Sequence, residues 1–163
     1  MTNGTAEWRA MREADLPAVS AISDAVHGSY TEPMAVYAER LCLYPAGCRV
    51  LERTGDVVGY LVTHPWFRDG PPKLGAMLGA IPPEADTYYL HDIALLPAAR
   101  GTDASTAALD FVVDRAGALG LPDITLMAVG GADRFWAAQG FDYLPRDADL
   151  SYGTGAHLMR MSI

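Results

Sequence analysis

The chain has 163 residues, a length that predicts one domain spanning residues 1–163. Half of its residues are hydrophobic and 20% are charged, which excludes disorder as the main state of the chain. Twelve Lys and Arg residues against twenty Asp and Glu residues give a net charge of −8. Because an acidic surface repels phosphate groups, we expect no nucleic acid and no membrane among the partners.

The two cysteines, Cys42 and Cys48, form no C-x-x-C pair and have no histidine at metal-ligand spacing. We therefore predict neither a disulfide framework nor a metal site, and reduced thiols are typical of the cytosol. The sequence does not open on a basic segment followed by an apolar run, and it has no apolar stretch of ~20 residues. These features predict a cytoplasmic protein.

The first part of the chain predicts a strand followed by two helices. Residues 7–12 alternate apolar and polar side chains, as a half-buried strand does. Apolar residues at helical spacing follow, with Asp15 as the expected N-cap of a helix that ends at Gly28. A second helix is predicted over residues 34–43.

Two β-rich runs come next, at 48–52 and 57–64. They are joined by the short polar link 54–56, which contains a glycine and predicts an antiparallel hairpin. Residues 65–86 hold five prolines and three glycines and predict no regular element. A loop of this length is interpreted as a lid or a substrate wall, with a disordered insertion as the alternative.

The second half predicts a strand at 88–96, a helix from about residue 104 to 119, and a buried strand at 124–129. The right-handed crossover between these strands would make them parallel. The remaining predicted elements are a helix at 132–139, a strand at 141–144 and a last strand at 157–161 that closes the sheet.

The junction between the strand 88–96 and the next helix is a candidate anion site. A turn that enters a helix leaves backbone N–H groups without partners at the positive end of the helix dipole. Arg100, just before the helix, adds a forked donor that matches phosphate oxygens. The alternative is an ordinary loop with an arginine in solvent.

Two segments resemble the GNAT superfamily of acyl-CoA-dependent N-acyltransferases. One is Tyr89-Leu-His-Asp-Ile-Ala-Leu-Leu-Pro-Ala-Ala-Arg-Gly101, and the other is Arg134-Phe-Trp-Ala-Ala-Gln-Gly-Phe141. Together with the order of elements, the resemblance covers nearly the whole chain. It implies an α+β fold, an α/β/α sandwich with a mixed, mostly antiparallel sheet. Helices would cover both faces, and strands four and five would splay apart.

The resemblance also implies where acetyl-CoA, as co-substrate, would bind. Backbone groups of Ile93 and Leu95, with Ala94 between them, would pair with the pantetheine arm, and the following turn would hold the pyrophosphate. The turn residues are Arg100, Gly101, Thr102, Asp103, Ala104, Ser105 and Thr106. Phe135 and Trp136 are interpreted as core packing, with one ring edge against the pantetheine.

Two positions depart from the family pattern. Asp103 replaces the usual central glycine and would place a carboxylate near the pyrophosphate, which weakens the site unless the side chain turns away. Its alternative role, or that of Thr102, is to cap the helix. Trp136 stands where many members have a tyrosine acid, and an indole is no practical acid. Tyr89 or Tyr143 could take that role.

His91 is the candidate general base, because strict strand alternation places it on the same face as Ile93 and Leu95. It would accept a proton directly or through a water, and the alternative is a buried structural histidine. On the same register, Asp92 should point to the opposite face and have a structural partner. Tyr30 faces the acceptor site in the layout that the resemblance implies.

The resemblance implies an N-acetyltransferase that moves an acetyl group from acetyl-CoA to a primary amine of a small molecule or peptide. The amine would attack directly, without a covalent enzyme intermediate. Two alternatives stay open: a catalytically silent acyl-CoA-fold module that binds a ligand or partner, and a purely structural dimerising domain. A second copy of the chain, in a homodimer, is also left open as a partner whichever function applies.

Overall fold

A seven-stranded mixed sheet forms the centre of the computed structural model, which describes residues 5–100, 103–145 and 155–163. The strands are β1 (Glu7–Ala10), β2 (Cys48–Arg53), β3 (Asp56–Trp66), β4 (Thr87–Leu95), β5 (Asp123–Ala128), β6 (Asp142–Tyr143) and β7 (His157–Ser162). The helices are α1 (Leu16–His27), α2 (Met34–Leu43), α3 (Ala104–Ala118) and α4 (Asp133–Ala138). The elements follow the predicted order. None of the helices in these ranges is long and apolar enough to cross a membrane.

The strand order is β1-β2-β3-β4-β5-β7-β6. Every neighbouring pair is antiparallel except β4 and β5, which are parallel as the crossover through α3 predicts. The prediction that the last strand closes the sheet was wrong. β7 inserts between β5 and β6, and the two-residue β6 forms the edge.

The sheet carries helices on both faces, as predicted. One core cluster joins the sheet to α3 and α4 and includes Tyr88, Leu90, Val112, Ile124 and Trp136. A second cluster joins the opposite face to α1 and α2 and includes Val19, Ile22, Tyr37, Tyr60 and Val62. This layering fixes which side each residue of β4 faces.

The predicted hairpin is present between β2 and β3. Its two turn residues, Thr54 and Gly55, have φ values of 49° and 85°. Two consecutive positive φ angles are the backbone of a type I′ turn, whose twist matches that of paired strands. The glycine is needed here because it adopts this conformation without steric cost.

The role predicted for Asp15 was wrong in its chemistry. Asp15 is the residue before α1, but its side chain makes no capping hydrogen bond. Its carboxylate instead accepts hydrogen bonds from the Arg9 guanidinium at 2.8 and 2.9 Å and from the Arg12 N–H at 2.8 Å. The carboxylate thus binds Arg9 of β1 and the backbone just ahead of the short turn 13–15, not the first turn of α1.

Candidate active site

The sheet opens between β4 and β5. The two strands pair only from Tyr88 to Leu90 on β4 and from Ile124 to Leu126 on β5, so the predicted splay begins after Leu90. A cavity of about 380 Å³ lies at this opening. Its lining includes residues 90–93 of β4, residues 126–130 at the end of β5, and side chains from the segment after α1.

A β-bulge in β4 decides which side chains face the cavity from the α1–α2 side. Leu90 is opposite Thr63 and Asp92 is opposite Val62, so His91 is an extra residue in the ladder. Leu90 and Ile93 therefore pack with the α3 cluster, while the adjacent His91 and Asp92 both bind partners from segment 27–32. The expectation that His91 shares a face with Ile93, and that Asp92 points the other way, was wrong because it assumed unbroken alternation.

His91 forms a buried ion pair with Glu32. Its Nε2 lies 2.6 Å from Glu32 Oε1, and the two side chains are 1% and 4% exposed. Glu32 also accepts a hydrogen bond from the Gly75 N–H at 2.7 Å. Burial by itself would raise the pKa of Glu32, but the His91 charge and both hydrogen bonds outweigh it and hold the pKa below its usual value.

The other ring nitrogen of His91, Nδ1, is buried and has no hydrogen-bond partner within the described part of the chain. A buried polar atom without a protein partner is an expected position for a bound water or a substrate group. Because His91 lines the cavity, Nδ1 is the atom through which this residue could accept a proton.

A second histidine–carboxylate pair lies beside the first. His27, the last residue of α1, places Nε2 2.6 Å from Asp92 Oδ1. Asp92 also accepts hydrogen bonds from Tyr37 at 2.9 Å and Tyr60 at 2.5 Å. Burial favours the neutral form of both groups, yet their mutual hydrogen bond and charges prevail, raising the pKa of His27 and lowering that of Asp92.

Sequence reasoning missed Glu32, His27 and Asp92 as members of this site. Glu32 is 59 residues from His91, and His27 is 65 residues from Asp92. No local motif encodes such pairings. The one available signal was the His-Asp dipeptide on the strongest strand, where two consecutive titratable residues in a buried run already indicate a bulge or a pair of buried partners.

The other candidate site residues divide into those that line the cavity and those that do not. Tyr30 and Trp136 line it. Tyr89 is fully buried against the rings of His64 and His91 and lies outside the lining. Phe135 is 44% exposed and contacts Trp136 with its edge, also outside the lining.

Tyr143, the other candidate acid, lies on the edge strand β6. It is half exposed, and its hydroxyl donates a hydrogen bond to Asp133 at 2.6 Å. Because this bond to a carboxylate favours the protonated form, it raises the pKa of the Tyr143 hydroxyl. Like Tyr89, it is outside the cavity lining. The acid role of either tyrosine therefore stays a prediction.

The turn after β4 places Arg100 at the cavity wall, where its Nε donates to the Leu95 carbonyl at 3.1 Å. Its exposed guanidinium keeps further donors for an anion. Asp103 is the N-cap residue of α3, but its exposed side chain makes no capping bond, so the capping explanation fails for it. Gly101 and Thr102 lie outside the described residues.

The first residues of α3 differ in exposure. Ala104 is buried, and its carbonyl accepts a hydrogen bond from the Trp8 indole at 2.9 Å, while Ser105 is half-buried and Thr106 is exposed. In the part of the chain that the structure describes, the β4 edge that faces β5 has no ladder partner beyond Leu90. An unpaired strand edge that leads to Arg100 and a helix start fits an extended arm ending in a phosphate group. The Leu95 carbonyl, however, already accepts a hydrogen bond from Arg100.

The long loop is a wall of this site. β3 extends through Pro65 to Trp66, and the remaining residues 67–86 contain no helix or strand. Leu74 lines the cavity, and Glu39 of α2 accepts hydrogen bonds from the N–H groups of Leu78 and Gly79 at 2.6 and 3.0 Å. These contacts support the wall interpretation over a disordered insertion.

A mixed sheet split between parallel β4 and β5, with an arginine turn and a helix start after β4, defines the acyl-CoA-dependent acyltransferase fold. The model of the Acetyltransferase (GNAT) family matches residues 8–141. The chain belongs to this family. Among curated proteins, none matches the sequence significantly.

Solved structures with the same fold are distant in sequence. The loading GNATL domain of CurA from Lyngbya majuscula has a TM-score of 0.80 at 14% identity, covering 97% of this chain and 98% of that one. The GphF GNAT-like decarboxylase, in complex with isobutyryl-CoA, has a TM-score of 0.76 at 18% identity, with coverages of 96% and 98%. Arabidopsis thaliana Naa50, in complex with the bisubstrate analogue CoA-Ac-MVNAL, has a TM-score of 0.69 at 15% identity, with coverages of 97% and 99%.

Proposed function

We propose that this protein transfers an acetyl group from acetyl-CoA to a primary amine of a small molecule or a peptide. The observation that carries the proposal is the buried His91–Glu32 pair. Its histidine lines the cavity between the splayed strands β4 and β5, and its buried Nδ1 has no hydrogen-bond partner among the described residues. The bisubstrate analogue in Naa50 joins CoA to a peptide through the acetyl group. That ligand supports direct attack by an amine in this fold.

The co-substrate, when bound, supplies an acetyl group activated as a thioester. The unpaired edge of β4 would hold its extended arm, and Arg100 with the first turn of α3 would bind its phosphates. Asp103 is exposed and makes no capping bond, so its carboxylate is free to turn toward solvent. The chain's residues therefore fit the group.

His91 would act on the attacking nitrogen. Its Nδ1, or a water bound there, accepts a proton, and Glu32 stabilises the imidazolium that forms and fixes the ring orientation. Tyr30, His27 and Leu74 line the acceptor side of the cavity. The leaving group is a thiolate whose conjugate thiol resembles that of cysteine, with a pKa of ~8.5, so it can depart without a strong acid. The presence of a tryptophan instead of a tyrosine at position 136 is compatible with this.

The test is CoA release from acetyl-CoA in the presence of primary amines. The panel would contain simple alkylamines, a polyamine and short peptides with free N-termini, with mass spectrometry to identify N-acetylated products. The proposal predicts release that depends on the amine and falls in His91→Ala. Binding of acetyl-CoA without any product would instead support a catalytically silent module.

A further inference from the structure

A line of hydrogen bonds connects the cavity to the surface through the α1–α2 layer. Asp92 lines the cavity, and its Oδ2 accepts a hydrogen bond from the Tyr37 hydroxyl at 2.9 Å. Tyr37 Oη lies 2.7 Å from Ser23 Oγ, and Ser23 Oγ lies 2.9 Å from Thr31 Oγ1. Thr31 then donates to Asp24 Oδ1 at 2.6 Å.

The inner hydroxyl groups of this line are buried, and its outer end is exposed to solvent. Ser23 and Tyr37 are both 0% exposed, Thr31 is half-buried and Asp24 is exposed. Solvent cannot reach the two inner hydroxyls directly. The side chains of Tyr37, Ser23, Thr31 and Asp24 thus form a continuous hydrogen-bonded route from Asp92 to bulk water.

The line is one proton short when both carboxylates are ionised. It has four oxygen–oxygen contacts but only three hydroxyl protons, one each on Ser23, Thr31 and Tyr37. Tyr37 and Thr31 must donate to their carboxylates, so the Ser23 proton can fill only one of the two middle contacts. One additional proton would complete all four bonds.

The proposed reaction produces one such proton when the acceptor arrives as an ammonium ion. The nitrogen of a protonated primary amine loses two protons in becoming an amide. One proton passes to His91 and ends on the thiol of CoA, which resembles a cysteine thiol with a pKa of ~8.5 and so stays mostly protonated near neutrality. The other must leave the site. A neutral amine loses only the first and has none to export.

We propose that the line Asp92–Tyr37–Ser23–Thr31–Asp24 exports the surplus proton of a protonated amine acceptor, an inference that rests on the proposed acyltransferase function. The acceptor nitrogen gives a proton to Asp92, and Asp92 passes it to Tyr37. Tyr37 passes its own proton to Ser23, and Ser23 passes its own to Thr31. Thr31 passes its proton to Asp24, which releases it to water. Each hydroxyl ends with one proton, and no bond between heavy atoms changes.

His27 leaves this route open. It occupies Asp92 Oδ1, whereas Tyr37 binds Oδ2, so the two contacts use different oxygens of the carboxylate. Tyr60 also donates to Oδ2 and lies 3.2 Å from the Tyr37 hydroxyl, so among the described residues it connects to Ser23 only through Tyr37. Tyr60 is therefore a side branch, and it provides a matched control.

The first test compares two acceptors of nearly equal size in the Ser23→Ala variant. With acetyl-CoA at about pH 7.5, ethylamine is an ammonium ion whereas methoxyamine is neutral. Ser23→Ala should lower kcat with ethylamine about 10²-fold, the low end for positioned proton transfer, and change kcat with methoxyamine by less than about twofold. If Ser23→Ala lowers kcat equally with both acceptors, the proposal is overturned and Ser23 has a structural role.

Tyr60→Phe is the control, because it removes a buried hydroxyl from the same carboxylate without cutting the line. Any effect of this variant should be equal for the two acceptors. An effect confined to ethylamine would also count against the proposed route. If the wild type acetylates neither amine under conditions that detect slow turnover, the proposed function fails instead, which is a distinct outcome.

A second measurement needs no acceptor. NMR can follow exchange of the Tyr37 hydroxyl proton with water in the wild type and in Thr31→Val, which cuts the line at its outer end. The proposal predicts at least about tenfold slower exchange in the variant, since the buried hydroxyl then loses its connection to Asp24. Unchanged exchange would overturn it.

Discussion

Glu32 links the candidate base to the loop wall of the site: its Oε1 lies 2.6 Å from His91 Nε2, and its Oε2 accepts the Gly75 N–H at 2.7 Å. One buried carboxylate thus binds both the imidazole and the loop that forms one wall of the cavity. The pair comes from distant parts of the chain, and it depends on the bulge that turns His91 toward the α1–α2 layer.

His91→Ala should lower turnover about 10²–10⁴-fold, because the variant loses the group that accepts the proton of the attacking nitrogen. Acetyl-CoA affinity should change little. Steady-state kinetics and isothermal titration calorimetry measure the two quantities separately. A loss of turnover below about threefold would reject His91 as the base.

Glu32→Gln should also lower turnover, by about tenfold or more, because the neutral amide cannot stabilise the imidazolium. The substitution keeps the shape of the side chain, so a large fall in melting temperature is not expected to accompany it. The deciding measurements are kcat and the calorimetric affinity for acetyl-CoA. The loss should appear in kcat, with the affinity nearly unchanged; a kcat within about threefold of the wild-type value would show that Glu32 does not assist the catalytic proton transfer.

Arg100→Ala should weaken acetyl-CoA binding by about 1.5 kcal/mol, the low end for a charged hydrogen bond, since the guanidinium is exposed. Calorimetric titration checks this value. Arg53→Ala is a suitable control, because Arg53 also donates to a backbone carbonyl of the neighbouring turn, that of Ala98, but does not line the cavity. Equal acetyl-CoA affinities for the wild type and both variants would show that the phosphates bind elsewhere on the protein.

The His27–Asp92 pair should make stability depend on pH. The pKa of His27 is raised in the folded protein, where it faces the carboxylates of Asp92 and Glu32, so its contribution is fully present below the ordinary value of 6.5. It is lost as pH rises through the raised pKa. Asp92 stays ionised throughout this window because its pKa is lowered.

Urea unfolding of the wild type and of His27→Ala at about pH 5.5 and about pH 9 measures this effect. The wild type should exceed the variant by more at the lower pH. A difference that is the same at both pH values would mean that the charged pair contributes nothing to stability.

Glu39→Gln should loosen the loop wall by weakening two charged hydrogen bonds. Hydrogen exchange of the Leu78 and Gly79 amides should accelerate about tenfold, as expected when a charged acceptor is lost. Glu84→Gln changes an exposed carboxylate of the same loop and serves as the control. Equal protection in both variants would show that Glu39 does not hold the loop.

Much of the fold could be predicted from local patterns. Alternation indicated the strands, Thr54-Gly55 indicated the hairpin turn, and the strand–helix–strand order of 88–129 indicated the parallel pair. These features follow from interactions among neighbouring residues. The position of β7 could not be predicted, because strand order within a sheet is a tertiary property.

The site was less predictable for a related reason. The extra residue at His91 breaks the period of two from which the facing of β4 side chains was predicted, and the His91-Asp92 dipeptide is the one local sign of the bulge. Glu32 and His27 reach their partners only after α1 and α2 dock on the sheet. Arg100, by contrast, could be placed in advance, since its role depends only on the strand–turn–helix junction that surrounds it.

Binding of acetyl-CoA in the cleft between β4 and β5 is the central claim, and a melting-temperature titration tests it most directly. With adenosine diphosphate and no ligand as controls, acetyl-CoA at a hundred times its Kd should add about 2.7 kcal/mol of stability and raise Tm by several degrees. We expect this shift in the wild type and a smaller one in Arg100→Ala. No shift at millimolar acetyl-CoA would contradict it.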